Sequence, residues 1–407
     1  MKHKLPILLA LPAAFFISVF AARAEVSNGT APEVTSLNAK DVSYALEAKL
    51  PDLEKPYISV SPEDKKDGIV VGTLGPDGGD TNAVLKFAEE LGNPPQIENP
   101  GTPKEKSSGN IDSLLIWYKG KLVYESYYRR GRANYPHYQM SITKSYTALA
   151  IGRAMQLGYL KMDDLDKPVI GFLKQLKTNS LAPGSDAITL TQVMEMGSGI
   201  RLDGAKAKEL LKNPAQLKGQ GEIQAYLDNT SPIPPAPREF KYQESDPDIT
   251  MQVLNAAAPE GARDFIQNQL FKPLGITNYQ WDNSVSDLPK SAAGSSLLSR
   301  DMLKVGMLIL NKGKWQDQQL IPEAYIAKAT SPNVHSYGTC YYGFFWWVED
   351  IKVGEKTYHC VEGRGAGGQF IFMFPELDLI VVATSHDQGM GSLLNVLPQK
   401  VVPAFVK

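Results

Sequence analysis

Ser141 and Lys144 stand three positions apart in "YQMSITKSYTALAIGRAM", and the lysine opens a run of small apolar residues. On a helix, positions i and i+3 share a face, so this hydroxyl and this amine can meet. A serine at a helix N-terminus keeps its own amide free to point at a developing oxyanion. Burial beside apolar neighbours lowers a lysine pKa and leaves an amine able to accept the serine proton. The chemistry implied is acyl transfer through a serine ester. The competing reading is an N-cap serine with a lysine that snorkels to solvent. Roughly one S-x-x-K is expected by chance in a chain of this length, so spacing alone decides nothing. The position of the motif, after a hairpin and at the head of an apolar helix, favours chemistry.

Other motifs carry less. "GRGAGG" places Gly363, Gly365 and Gly368 in a dinucleotide-binding spacing, but "QFIFMF" follows where a helix is required. "MGSGI" around Ser198 lacks the first glycine of a nucleophile elbow and follows a helix rather than a strand. His137, His335, His359 and His386 show no metal-ligand spacing. No cofactor and no metal is expected.

The elements that must position the serine and lysine can be read from pattern. A helix is expected over "DTNAVLKFAEELG" (80–92), closed by Gly92. "NPPQIENPGTPKEKSSGN" reads as a linker. "IDSLLIWYKGKLVYESYYRRG" reads as a hairpin turning at Lys119-Gly120. The SITK helix should run to Leu157 and stop at Gly158. Residues 160–285 read as helix and loop, with a capping box at Thr189 and Gln192. "SLLSRDMLKVGMLILNKG" is an amphipathic helix, and "GGQFIFMFPELDLIVVATS" is two strands joined at Pro375-Glu376. Strands from both ends thus enclose a helical middle, an α/β (α+β) architecture: an antiparallel sheet flanked by helices, with an inserted mainly helical part. The expected division is a signal segment (1–24), an N-terminal extension (25–66) and a hydrolase domain (67–407). Within that domain, 67–158 and 286–407 form the α/β part and 159–285 the helical part.

Composition narrows the partners. The 407 residues carry a net charge of −2, which provides no basic footprint for nucleic acid. "MKHK", an apolar stretch and "AARA" form a secretory signal with cleavage after Ala24; the competing reading is an uncleaved anchor. Export to the periplasm or beyond, without a stable membrane anchor, is expected. The two cysteines, Cys340 and Cys360, flank a hairpin centred on Val353-Gly354. Such a hairpin would set them on neighbouring strands as a disulfide, with buried free thiols as the alternative.

From Ile111 to the C-terminus the chain resembles the serine β-lactamase and penicillin-binding superfamily. Its class C and esterase branch is the nearer, above all 6-aminohexanoate-dimer hydrolase-like enzymes. The resemblance rests on "SITKSYTALAIGRAMQLGYL", "ITLTQVMEMGSGI", "FKYQESDPDITMQVL", "LFKPLGI", "AAGSSLLSRDMLKVGMLILNKGKW" and "GAGGQFIFMFPELDLIVV" together. It implies Ser141 as nucleophile, Lys144 as its partner and Tyr242 as general base or acid, its phenolate favoured by the lysine cation. An ordinary half-buried tyrosine beside Phe240 is the alternative. The amides of Ser141 and Ala366 would form the oxyanion hole, with Gly365 and Gly367 letting that strand edge approach the acyl group.

Two departures bear on substrate. Gln243 and Glu244 follow Tyr242 where the penicillin-binding branch has x-Asn. Gly363-Arg364-Gly365 replaces Lys-Thr-Gly, which binds a β-lactam carboxylate. Arg364 is a candidate substitute charge, or a solvated arginine. Glu244 is a candidate partner for a free amine. The expected function is an exported serine hydrolase acting on small esters or linear amides. The rivals are a D,D-peptidase or β-lactamase, and an inactive relative that only binds.

Overall fold

The computed structural model describes residues 24–93, 110–387, 389–390 and 392–406. Residues 1–23 of the expected signal segment and nearly all of the expected linker lie outside them. The strands from the first part of the chain are β1 (Tyr57–Ser59), β2 (Ile111–Tyr118), β3 (Lys121–Tyr127) and β4 (His137–Tyr138). Short strands follow: β5 (Gln280–Trp281), β6 (Ser295–Leu297), β7 (Lys314–Trp315) and β8 (Gln318–Gln319). The C-terminal part adds β9 (Val334–Tyr337), β10 (Cys340–Tyr342), β11 (Trp347–Val353), β12 (Lys356–Gly365), β13 (Gln369–Phe374) and β14 (Leu379–Ser385).

Among the described residues, nine strands form one sheet in the order β1-β3-β2-β14-β13-β12-β11-β10-β9, every pair antiparallel. Its centre joins the two ends of the chain, with β14 paired along β2. The β2–β3 hairpin turns at Lys119 (φ 45°) and Gly120 (φ 89°), the pair of left-handed residues that a two-residue loop requires. Side chains alternate between faces, as strand geometry demands. Leu115, Trp117, Ile371 and Ile380 enter one core; Leu114, Ile116, Phe370 and Val381 enter the other.

Helices cover both faces. The early ones are α1 (Tyr44–Glu47), α2 (Thr81–Gly92) and α3 (Ile142–Gln156); α4 (Leu190–Met194), α5 (Gly204–Leu210) and α6 (Gly221–Asn229) follow. Then come α7 (Ser245–Ala257), α8 (Gly261–Phe265), α9 (Ser299–Leu310), α10 (Glu323–Ala329) and α11 (Leu393–Phe405). α2 and α11 pack together on one face, while α9 lies across β2, β13 and β14 on the other. The helix α2 is capped at its start by Asp80, and its last residue is Gly92, with Asn93 as C-cap in place of the expected glycine. Thr189 and Gln192 make the expected capping box at α4. No helix of the described residues is long and apolar enough to cross a membrane.

The cysteine expectation is corrected. The hairpin at Val353-Gly354 forms, between β11 and β12, but Cys340 lies on β10, one strand further out. Glu349 of β11 is the residue opposite Cys360, and both cysteines are free and buried. A whole strand separates the two, beyond the reach of a disulfide.

Candidate active site

The site is built around the start of α3. From Ile142 to Met155 every residue of this helix is buried, the pattern of a helix enclosed on all sides. It packs on α7, on α10 and on β12. The approach to it is pinned: the Gln139 amide donates to the Ser295 carbonyl (2.8 Å), and the Gln139 side-chain oxygen accepts from the Tyr146 hydroxyl at 2.9 Å. Met140 then takes φ 48°, a strained conformation for a side chain of its size, directly before the serine.

Ser141 is the N-cap residue of α3, yet its side chain makes no capping bond. Its Oγ accepts from Lys144 Nζ at 3.1 Å, and the same ammonium donates to the Ala292 carbonyl at 2.6 Å. Lys144 is 3 % exposed, so it does not snorkel. Burial lowers its pKa to about 8, against the opposing pull of Glu244 and Asp248. The structure therefore brings serine and amine together in the way the motif suggests.

Tyr242 joins them from the loop before α7, but in a different protonation state from the one expected. Burial raises its pKa to about 12; a hydrogen bond with Ser141 lowers it, and Glu244 raises it further. Lys144 Nζ sits 4.7 Å from the centroid of the phenol ring. The raised pKa favours the neutral phenol over the phenolate that the resemblance implied. Its ring stacks on Trp347 at 5.6 Å, with 23° between the planes.

The opposite edge of the site is the end of β12. Gly365 lies against the carbonyl of Gln139, where any Cβ would collide with the backbone oxygen. Ala366 follows in the turn after β12, beside Gly367 (φ 88°). No backbone carbonyl among the described residues accepts from the Ser141 or Ala366 amide.

Arg364 corrects both of its sequence readings. It is neither solvated nor free to meet a substrate carboxylate, being 4 % exposed. Its Nε donates to Glu362 (2.5 Å), and its two terminal nitrogens donate to Glu349 and the Tyr337 hydroxyl, each at 2.7 Å. The guanidinium also lies 5.1 Å from the Trp347 ring. Glu244, the N-cap residue of α7, is exposed and borders a cavity of about 390 Å³ that also meets Glu222, Asp248 and Tyr226. Burial raises the pKa of both Asp248 and Glu222; Glu222 raises Asp248 further, and Glu244 raises both. Among the described residues, no group of three or more His, Cys, Asp or Glu side chains is arranged to hold a metal ion. Ser198 proves structural: its hydroxyl donates to the buried Asp246 at 2.7 Å, which ties the segment after α4 to α7.

Sequence reasoning missed Trp347, Asp248 and Ala292. Asp248 had a usable signal, since it follows Glu244 by one helical turn. Trp347 and Ala292 had none, because each matters only through contacts across the fold.

Comparison with known proteins agrees with this architecture. The family model described as Beta-lactamase matches residues 112–400, and the chain belongs to that family. Among solved structures, a candidate 6-aminohexanoate-dimer hydrolase from Bacillus anthracis is similar with TM-score 0.58 and 18% identity, over 71% of this chain and 76% of the other. A penicillin binding protein from Bacillus halodurans gives TM-score 0.54 and 16% identity, over 71% and 95%. A D-stereospecific amidohydrolase from Streptomyces sp. gives 0.52 and 16%, over 70% and 92%. At these identities the likeness is one of fold. No curated protein matches.

Proposed function

We propose that this chain is an exported serine hydrolase that cleaves small esters or linear amides through an acyl-enzyme on Ser141. One observation carries the reading: Ser141 Oγ lies 3.1 Å from an amine whose pKa burial has lowered to about 8. Such an amine is neutral in a substantial fraction of molecules near neutral pH and can take the hydroxyl proton as Oγ attacks. The Ser141 and Ala366 amides would hold the resulting oxyanion. As the bond to the leaving atom breaks, Tyr242 gives that atom its proton and recovers one from Lys144. Water then attacks the ester on Ser141 by the reverse relay, releasing the acid and restoring the hydroxyl. In this reading residues 67–407 are the hydrolase domain and residues 1–24 direct export.

A neutral substrate fits best. Gly363 stands where relatives carry a cationic donor, and Arg364 is spent on internal partners, so a β-lactam carboxylate would be poorly compensated. Glu244 remains a proposed partner for the free amine of a linear amide. A fluorophosphonate probe followed by peptide mapping should mark Ser141, and Ser141→Ala should abolish the labelling. Short-chain p-nitrophenyl esters should be turned over, with cephalosporins slower than every ester. Labelling at another serine would overturn the nucleophile; a cephalosporin with the highest kcat/KM would overturn the substrate class.

A further inference from the structure

The family match begins at residue 112, so the described N-terminal segment, residues 24–93, lies outside it. That segment nevertheless reaches the candidate active site. Glu47, at the end of α1, is 7 % exposed, and a buried carboxylate is costly unless it is paired. It is paired twice: with His137 as an ion pair, and with the Tyr138 amide, which donates to its Oε2 at 3.0 Å. Both partners belong to β4, three and four residues before Ser141. The joint fixes α1 on the strand that delivers the nucleophile.

One turn earlier, the Tyr44 ring packs against Tyr138 at 5.1 Å with 52° between planes, and Tyr44 remains 57 % exposed. A cavity of about 290 Å³ is bordered by Tyr44, Tyr138 and Met140 on one side and by Ala366 and Gly367 in the turn after β12, with Arg130, His386 and Asp387 at its polar end. Ala366, the second proposed oxyanion donor, borders this cavity, while Ser141 itself does not. Tyr242 does not line it. If Tyr242 protonates the leaving atom, the leaving group lies on the Tyr242 side and the acyl group points into this cavity.

We infer that the N-terminal segment supplies one wall of an acyl subsite for flat aromatic acyl groups, with Tyr44 as the specificity-determining residue. The inference rests on the proposed reaction at Ser141. The rings of Tyr44 and Tyr138 on this wall reward an aromatic acyl group over a saturated ring of the same size, because only the former offers a complementary quadrupole.

The test compares p-nitrophenyl phenylacetate with p-nitrophenyl cyclohexylacetate, which share leaving group and chain length. The wild type should prefer the phenylacetate by about fivefold in kcat/KM, mainly through KM, the size of one aromatic contact. Tyr44→Ala should bring the ratio close to one, and Tyr44→Phe should keep it. Tyr44→Leu, which retains bulk without a π face, should behave like Tyr44→Ala. A wild type without the preference, or Tyr44→Ala and Tyr44→Leu with the wild-type ratio, overturns the inference. Fluorophosphonate labelling of the same proteins separates the two levels. Labelling at Ser141 with an unchanged ratio refutes only the subsite, whereas a wild type unlabelled at Ser141 refutes the reaction itself.

Discussion

Lys144 and Arg364 are both cations almost wholly withdrawn from water, 3 % and 4 % exposed, and both flank the same aromatic pair, Tyr242 and Trp347. Their fates are opposite. Arg364 is met by Glu362 and Glu349 at hydrogen-bond distance, and although burial lowers its pKa, Glu362 above all raises it overall. Lys144 has a hydroxyl and a carbonyl as its direct partners, and the nearest carboxylates act on it only at a distance. Burial therefore wins, and its pKa falls to about 8. Withdrawal from solvent does not by itself make a reactive amine; withdrawal without adjacent counter-charge does.

The comparison can be broken first on the arginine side. Arg364→Ala leaves Glu362, fully buried, without its cation, so unfolding by denaturant should show a loss of about 3–5 kcal/mol. A loss under about 1 kcal/mol would mean that the pair is not the structural anchor described. On the lysine side, Lys144→Ala and Tyr242→Phe should each lower kcat by about a hundredfold, the usual scale for an acid–base partner. The double variant should be little worse than either single one, since both serve one proton relay. Additive losses would separate the two groups into independent roles.

The smallest effect is the most direct reading of the amine. The active form requires neutral Lys144, so kcat/KM should rise with pH and level off above about 8. Below that value it should fall about tenfold per pH unit, as one protonation removes the base. A profile flat from pH 6 to 9 would show that Lys144 is not the titrating base.

Much of the scaffold was legible because its signals are local. Lys119-Gly120 and Val353-Gly354 carry turn chemistry in two residues, and Thr189 with Gln192 carries a helix start in four. The cysteine pairing failed for the complementary reason. "CYYGFFWWV" reads as one aromatic run, but Phe345 takes φ 59° and the chain reverses there, making two strands of it. That reversal moved Cys340 one strand away from Cys360. The protonation of Tyr242 was not legible in the same way, because the desolvation that raises its pKa is set by packing and not by the neighbouring residues in sequence.

By itself, the sequence determined what periodicity and short-range bonding can encode: the antiparallel strands, the apolar helix α3, and a serine and lysine on one face at its start. Only the tertiary structure decided which charges would be neutralised and which left alone. Arg364 meets Glu349 across a strand pair and Glu362 from two residues away, while Tyr242, Ala292 and Tyr44 arrive at the site from segments roughly a hundred residues or more from Ser141. Electrostatic free energies depend on separations of a few ångströms and on exclusion of water, and both are set by packing among residues distant in the chain.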